Sequence, residues 1–170
     1  MTIKIEILPD GTIPQVEMTS CGLNGGPLEA SGTYEAVIAC SLWSADGVFD
    51  ASAEPMDERY PYFTQTGADG EDDSESYIAN MRDGSVAGYK YFCFNGVREI
   101  CVVVRGGAKG RLMILTEPAR EPSGTIDIEA EESEKSECHG KVQIPDGISA
   151  LYFKYIGIGK LDFFTFEFQK

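Results

Sequence analysis

The chain has 170 residues, of which 42% are hydrophobic and 25% charged, and 28 acidic against 14 basic residues give a net charge of −14. This length suits one well-buried domain, and the composition is that of a folded globular protein rather than a disordered one. The acidic balance argues against partners that are bound through phosphate groups, because nucleic acids and anionic membrane surfaces are held by Lys and Arg. We therefore expect neither a nucleic-acid partner nor a membrane partner.

The first eleven residues, MTIKIEILPDG, lack the long apolar stretch and the small-residue cleavage site of a secretory signal. They are typical of a short strand that ends in a turn. No run in the sequence approaches the roughly 18 to 20 apolar residues that cross a bilayer. These features indicate either a cytoplasmic protein or a fragment of a longer one.

Residues 8–32, LPDGTIPQVEMTSCGLNGGPLEASG, are rich in Gly, Pro and small polar residues. This composition predicts little regular structure, so we expect a linker or strap across the edge of a domain. The predicted organisation is an N-terminal strap over residues 1–32 and a folded domain over residues 33–170.

From about residue 33 onward, short runs rich in aromatic and β-branched residues alternate with Gly, Pro, Asp and Ser, as in strands joined by turns. No segment of ten or more residues has a convincing helical period. Regularly spaced strands without intervening helices favour an antiparallel β-sandwich or barrel. The predicted strands cover residues 34–40, 89–94, 98–105, 111–116, 124–130, 141–144, 150–156 and 161–168.

Alternation along three of these strands predicts which faces are buried. In residues 124–130 the apolar side chains alternate with acidic ones, so one face of that strand is dry. Residues 98–105, REICVVVR, are apolar on both faces and are typical of a central strand. In residues 34–40 every second side chain is predicted to share a face, namely Tyr34, Ala36, Ile38 and Cys40.

The stretch YIANMRDGSVAGYKYFCF, residues 77–94, combines five aromatic residues with Asn80, Arg82 and Asp83. A plain core strand has no need of the polar half, and a plain loop does not account for the aromatic half. We interpret the stretch as a loop that presents an aromatic face beside hydrogen-bonding groups and then enters a core strand. Sugars are recognised in this way, because aromatic rings stack on the apolar face of a pyranose while polar side chains bind its hydroxyls.

Tyr77, with Asn80 and Arg82 close by, has the composition of such a binding site. Trp43, the only tryptophan, stands at the end of a predicted strand and is a second candidate for ligand contact. The alternative for both aromatic residues is a place in the core, which is the expectation for most of the aromatic residues between 89 and 94.

Acidic residues alternate along the loop of residues 65–76 and suggest calcium. The EF-hand loop requires Gly at its sixth position and Glu at its twelfth, but this chain has Ser74 and Asn80 there. The motif fails, and we expect a solvated acidic loop. The alternating residues are Asp69, Glu71, Asp73 and Glu75.

Asp162, in KLDFFTFEF, shares strand parity with Phe164, Phe166 and Phe168. If the phenylalanines face the core, the carboxylate faces it too. A buried carboxylate must be paired, hydrogen-bonded or bound to a cation. A calcium ligand, a carboxylate bonded to the backbone and a surface position at the strand end remain open alternatives.

The five cysteines form no CxxC pair and are odd in number, which fits neither a disulfide framework nor a zinc site. We expect reduced structural thiols. The only histidine, His139, follows Cys138, but sequence neighbours on a strand point to opposite faces, so a loop histidine is expected. Neither a serine nucleophile motif nor a distinct pair of carboxylates for glycoside hydrolysis stands out.

Seven phrases of the sequence resemble, in order, the C-terminal part of bacterial glycoside hydrolase family 43 proteins. That part is a β-sandwich similar to carbohydrate-binding module family 6. The resemblance implies an all-β, antiparallel sandwich of the jelly-roll type behind the N-terminal strap. The phrases are IPQVEMTSCGLNGGPL, GTYEAVIAC, PYFTQTG, YIANMRDGSVAGYKYF, VVVRG, PDGISALYF and LDFFTFEF.

In such proteins a five-bladed propeller with three catalytic carboxylates precedes this region. This chain is too short to contain it, so the resemblance implies no hydrolase activity for the chain itself. Family 6 modules bind sugar at loops on one edge, with a Tyr ahead of an Asn-Gly-Asp-Trp stretch. Tyr77 and Asn80 stand where that Tyr and Asn would, followed here by Met81 and Arg82.

Two other positions depart from the family pattern. A late-loop Trp has no counterpart, since residues 137–139 occupy that region, and Lys160 replaces an Asn ahead of the final-strand Asp. The structural calcium of the module is held by a Glu in the first strand and by that Asp. Glu35 and Asp162 are similar in position, so the resemblance implies a structural Ca²⁺ there.

The leading hypothesis is a non-catalytic carbohydrate-binding module for plant cell-wall polysaccharide of the xylan or arabinoxylan type. Its ligand would stack on Tyr77 and Trp43 and bond to Asn80, Arg82 and Lys160. The alternative is an interaction module that packs against the propeller of a hydrolase and has lost sugar binding. An exposed apolar patch near the strap would favour that alternative. A free-standing hydrolase is the third hypothesis.

Overall fold

The computed structural model describes residues 5–47, 59–68 and 74–170. These residues form twelve strands and two single-turn 3-10 helices, Gly22–Asn24 and Ala36–Ile38. None of the helices in these ranges is long and apolar enough to cross a bilayer. The strands are β1 Leu28–Glu29, β2 Gly32–Glu35, β3 Ser41–Trp43, β4 Tyr62–Gln65, β5 Ser76–Met81, β6 Val86–Phe94, β7 Glu99–Arg105, β8 Ala108–Leu115, β9 Gly124–Ala130, β10 Ser136–Lys141, β11 Gly147–Ile158 and β12 Leu161–Gln169.

The strands form two six-stranded sheets. The first sheet has the order β1-β6-β11-β8-β9, with β3 also paired to β6. The second has the order β10-β7-β12-β5-β4, with β2 also paired to β12. Among the described residues every pair is antiparallel except β1 with β6. The predicted antiparallel sandwich is therefore confirmed.

Aromatic rings from both sheets fill the space between them. Phe166 lies at the centre of this core, with 1% of its surface exposed. Its ring centroid lies 4.8–6.2 Å from those of six other rings. Aromatic side chains bury large areas and favour such tilted and edge-to-face contacts, so the cluster holds the two sheets together. The six rings are Tyr34, Tyr89, Phe92, Phe153, Phe163 and Phe168.

Several predicted strands are confirmed with small changes of length. The prediction for residues 98–105 matches β7, which lies between β10 and β12 as a central strand. The prediction for residues 124–130 matches β9, where the apolar residues are buried and Asp127 and Glu129 are exposed. The strands predicted at 89–94, 111–116, 150–156 and 161–168 lie within β6, β8, β11 and β12, respectively, except that β8 ends one residue earlier, at Leu115.

Two predicted strands are wrong in part or in position. The strand predicted at 34–40 ends at Glu35, because residues 36–38 form a 3-10 turn where the chain crosses from the second sheet to the first. The hydroxyl of Tyr89, buried in the core, donates to the carbonyl of Ala36 at 2.9 Å and holds this crossing. The strand predicted at 141–144 lies earlier, as β10, whose polar sequence hides it from a search for apolar runs.

Residues 77–81 are also not the predicted loop. They belong to β5, which is paired with β12 on one side and β4 on the other. His139, likewise predicted in a loop, lies within β10 opposite Cys101. Pairing with distant strands decides both cases, and such pairing is invisible in the local sequence.

The N-terminal strap lies along the outer edge of β6. The Lys90 amide donates to the Ser20 hydroxyl at 3.2 Å, and the Lys90 ammonium contacts Glu17 at 2.8 Å. Further along, β1 runs parallel to β6 with Leu28 opposite Phe92. These contacts attach the described part of the strap to the first sheet.

Replacement of Phe166 by alanine tests the aromatic core. We expect Phe166→Ala to lower the free energy of unfolding by about 3–5 kcal/mol, because it removes a buried ring that bridges the sheets. Phe63, 49% exposed on the edge strand β4, is the matched control. Phe63→Ala should change stability by only about 0.5 kcal/mol. Urea unfolding measures both, and equal losses would contradict the assignment of Phe166 as the centre of the core.

Candidate functional site

Two β-bulges in neighbouring strands shape one end of the second sheet. Leu161 of β12 pairs with Met81 of β5, and Phe163 pairs with Ile78, so β5 has one residue more than β12 between these two pairs. Asn80 lies in this bulge and has a positive φ of 60°. On β12, Phe163 and Thr165 stand opposite adjacent residues of β7, so Phe164 is extra. A bulge bends its strand and redirects the side chains around it.

The bulge at Phe164 corrects the predicted parity of Asp162. Phe166 and Phe168 point into the core, whereas Phe164 lies on the outer face and stacks on Tyr77 with ring centroids 4.7 Å apart. Asp162 lies on the same outer face beside Arg105. The expectation that Asp162 faces the core is wrong, because one extra residue shifts the alternation of side chains along the strand.

A cleft of about 530 Å³ lies beside the two bulges, within the size range of small-molecule sites. It brings together four of the five predicted ligand-contacting residues: Tyr77, Asn80, Arg82 and Lys160. The rest of its lining is Tyr62, Ala79, Gly159 and Asp162. The cleft therefore combines two tyrosine rings with three cationic or amide side chains and one carboxylate.

Sequence reasoning missed Tyr62. It lies on β4, a short edge strand paired with β5, and its partner there is Ala79. The alternation of YFTQ was the available signal, but four residues are too few to predict a strand. Burial, together with the nearby Tyr77 and Asp162, raises the pKa of Tyr62. The phenol therefore stays neutral at physiological pH and can both donate and accept a hydrogen bond.

Asn80 holds the wall of the cleft in place. Its side-chain amide donates to the Tyr60 carbonyl at 2.9 Å, and its side-chain oxygen accepts from Arg82 Nε at 3.0 Å. Its backbone N–H donates to Asp162 Oδ1 at 3.3 Å. Asparagine tolerates the left-handed conformation that this bulge requires. Asn80 therefore fixes the Arg82 guanidinium at the cleft.

Arg105 completes the support behind Tyr77. Its guanidinium carbon lies 5.3 Å from the Tyr77 ring centroid and 5.1 Å from that of Phe164. The same guanidinium donates to Asp162 Oδ2 at 3.0 Å. Cation–π and charge-assisted contacts of this kind hold an aromatic ring in one orientation, so Tyr77 is pre-positioned.

Glu35 and Asp162, the predicted calcium ligands, lie on the paired strands β2 and β12. Glu35 is exposed and stands opposite Thr165, whereas Asp162 stands opposite Arg105 on the other side of β12. Both oxygens of Asp162 already accept hydrogen bonds. Calcium requires six or more oxygen ligands, and neither carboxylate belongs to a described group of three possible metal ligands. Calcium at this pair stays a prediction.

The acidic loop is predicted to be solvated. Three of its acidic residues, Asp69, Glu71 and Asp73, lie outside the described residues. Glu75 is described and exposed, and it forms an ion pair with Lys135, whose ammonium lies over the ring of Phe164 at 4.3 Å.

Trp43, the fifth predicted contact residue, does not line this cleft. It belongs to β3 of the first sheet, and its ring lies edge-on to Tyr152 with centroids 6.1 Å apart. Both residues take part in a small apolar cluster separate from the main core. Trp43 and Tyr77 therefore lie in different parts of the molecule.

Two further cavities continue the cleft around the end of the sandwich. The second, of about 500 Å³, shares Arg82 and Gly159 with the first. The third, of about 380 Å³, shares Ser44 and Ala45 with the second and is lined by Trp43. The three cavities form a groove with tyrosines at one end and tryptophan at the other.

Substitution of Asn80 separates its two contributions. Asn80→Ala should lower the free energy of unfolding by about 2–4 kcal/mol, from left-handed strain and lost hydrogen bonds. Asn80→Gly loses the hydrogen bonds but tolerates the backbone, so it should be about 1 kcal/mol more stable than the alanine variant. Urea unfolding compares them, and an alanine variant as stable as the glycine variant would disprove the strained bulge.

The sequence and the fold of the chain can be compared with those of known proteins. No family model matches the chain. A xylosidase/arabinosidase of Thermoclostridium stercorarium is 42% identical over 165 residues, which cover 96% of this chain and 34% of that protein. The chain thus spans about a third of the length of the curated relative that it matches.

The solved structures that share the fold include two from Bacillus species. A family 43 arabinoxylan arabinofuranohydrolase from Bacillus subtilis, in complex with cellotetraose, has a TM-score of 0.69 and 15% identity over 98% of this chain and 33% of that one. A β-1,3-glucan-binding family 6 module from Bacillus halodurans has a TM-score of 0.68 and 17% identity over 85% of this chain and 100% of that one. The predicted resemblance to a sandwich of family 43 glycoside hydrolases, with the fold of family 6 carbohydrate-binding modules, is therefore confirmed.

Proposed function

We propose that this chain is a non-catalytic carbohydrate-binding module that binds plant cell-wall polysaccharide of the xylan or arabinoxylan type. One observation carries the proposal: Tyr62 and Tyr77 line the same cleft as Arg82 and Lys160. Aromatic rings bind the apolar face of a sugar ring, and side-chain donors bind its hydroxyls. The cleft offers both kinds of contact within one wall.

We infer a separate role for each ring. One face of Tyr77 is covered by Phe164, with an interplanar angle of 20°, so the sugar stacks on the opposite face. Tyr62 supplies a neutral phenol that can donate or accept. Arg82 and the exposed Lys160 can only donate, and they therefore bind hydroxyl oxygens.

The lining of the cleft supports a binding role rather than hydrolysis. Glycosidases use two carboxyl groups on either side of the scissile bond. Asp162 is the carboxylate in the lining of this cleft, and both of its oxygens accept bonds from Arg105 and Asn80. It is held as a structural anion, which leaves it unsuited to act as nucleophile or general acid.

The relatives support the class of ligand. One solved neighbour binds β-1,3-glucan and the other is an arabinoxylan arabinofuranohydrolase, here with cellotetraose. The curated relative is a xylosidase/arabinosidase. An open cleft buries little of its ligand, so we expect weak binding.

Calorimetric titration with xylo-oligosaccharides and arabinoxylan tests the proposal. Tyr62→Ala and Tyr77→Ala should each weaken the affinity for a short xylo-oligosaccharide at least tenfold, about 1.4 kcal/mol. Trp43→Ala is the matched control, because Trp43 lines the far cavity and a short ligand does not reach it. A longer ligand should lose affinity with all three variants.

The circular dichroism of each variant must match that of the parent chain. Unchanged affinity in both tyrosine variants would remove this cleft as the binding site. Release of nitrophenol from aryl-xyloside or aryl-arabinoside by the pure chain would contradict the non-catalytic assignment.

A second function, packing against the catalytic domain of a hydrolase, is favoured by the strap. Large apolar side chains are exposed along it, and exposed apolar patches mark interaction sites. The arabinofuranohydrolase structure matches nearly all of this chain, strap included, whereas the separate module matches less of it. The side chains exposed by more than half are Ile5, Ile7, Ile13, Met18 and Leu23.

Binding to the hydrolase part of the relative tests this second function. The part of the Thermoclostridium stercorarium protein outside the matched third should bind the chain, and Ile7→Asp with Ile13→Asp should abolish binding. Ile158→Asp, at a residue 72% exposed on β11, is the matched control. Equal binding by all variants, or none by the parent chain, would contradict the strap as a docking surface.

A further inference from the structure

A group of metal-ligating side chains lies on the outer face of the second sheet, at the opposite end of β7 from Arg105. His139 on β10 is paired with Cys101 on β7 in the antiparallel register. Residues two apart on a strand share a face, so Glu137 lies beside His139 and Glu99 lies beside Cys101. The ligand atoms of Cys101, Glu137 and His139 all lie within 4.8 Å of one another.

Carboxylates hold both ring nitrogens of His139. Nε2 lies 3.0 Å from Glu137 Oε1, and Nδ1 lies 3.2 Å from Glu99 Oε1. Two ligand atoms 3.0 Å apart are close enough to bind the same cation, so Nε2 and Glu137 Oε1 can act as neighbouring ligands. A carboxylate on the remote nitrogen, as Glu99 provides, is the usual partner of a metal-bound histidine.

The charge around the thiol favours a cation. Cys101 is 3% exposed and stands between His139 on one neighbouring strand and Glu167 on the other. A coordinated metal replaces the proton of a thiol, so Cys101 would bind it as the thiolate. The thiolate and the Glu137 carboxylate would together balance a divalent ion.

We propose that Cys101, Glu137 and His139 bind one Zn²⁺ ion, with Glu99 orienting the histidine. Zinc accepts sulfur, nitrogen and oxygen ligands and leaves a fourth position for water, whereas calcium takes oxygen only. Bonds of about 2.0–2.3 Å place the ligands of a tetrahedral ion about 3.5 Å apart. His139 Nε2 and Glu137 Oε1, 3.0 Å apart, already meet this spacing. No pair of the three ligand atoms is more than 4.8 Å apart, so the widest pair must close by about 1 Å, which the exposed side chains of Glu137 and His139 have the freedom to do.

The ion would link an edge strand to the centre of its sheet. β10 is an edge strand of the second sheet, and it supplies Glu137 and His139, while Cys101 comes from β7. Binding to the folded state alone raises stability in proportion to the logarithm of the ion concentration. The site acts independently of the cleft and does not depend on the proposed carbohydrate function.

Titration of the whole chain with Zn²⁺ and Co²⁺ tests the site. After removal of metal with a chelator, calorimetry should show one Zn²⁺ per chain and the melting temperature should rise with zinc. Co²⁺ should give the near-ultraviolet charge-transfer band of a cobalt–thiolate bond. Cys101→Ser should abolish that band, and His139→Gln, at an exposed position, should weaken Zn²⁺ affinity at least tenfold.

Cys93→Ser is the matched control, since Cys93 is a half-buried thiol on β6 of the other sheet. It should leave the band and the Zn²⁺ affinity unchanged. A parent chain without the cobalt–thiolate band, or a band that survives in Cys101→Ser, would overturn the proposal. Zn²⁺ affinity in His139→Gln equal to that of the parent chain would overturn it as well.

Discussion

The extra residue at Phe164 in β12 is the constraint on which both the core and the cleft depend. Before the bulge Phe163 points inward, and after it Phe166 and Phe168 do the same, so the aromatic core is continuous. At the bulge itself, Phe164 points outward and supports Tyr77. Without the extra residue the alternation of a regular strand would place Phe163 and Phe166 on opposite faces, and either the core or the cleft wall would be lost.

The outer face of the second sheet has two ends of different chemical character. At the end near the bulges, tyrosine rings lie beside Arg82, Arg105 and Lys160, and the cationic groups stand out in a chain of net charge −14. At the other end, carboxylates surround a buried thiol and the only histidine of the chain. The first end is the proposed site for a neutral, hydroxyl-rich ligand, and the second is the proposed site for a divalent cation.

The strap connects these features to the relatives of the chain. Its inner side bonds to β6 through Glu17 and Ser20, while several apolar side chains face away from the sandwich. The proposed docking would place these exposed side chains against a second body. This agrees with a curated relative of which the chain spans about a third. The strap and the cleft use different residues, so sugar binding and docking are compatible in one molecule.

The sequence by itself determined the fold class, the faces of β7 and β9, and most of the cleft. Turn residues, strand length and alternation are local properties, and Tyr77, Asn80, Arg82 and Lys160 could be recognised from composition and resemblance. The tertiary structure alone decided the parity of Asp162, the separation of Trp43 from Tyr77, the role of Tyr62 and the meeting of Cys101 with His139. Bulges and strand register arise from hydrogen bonds between segments far apart in the chain, and a shift of one residue reverses which face a side chain occupies.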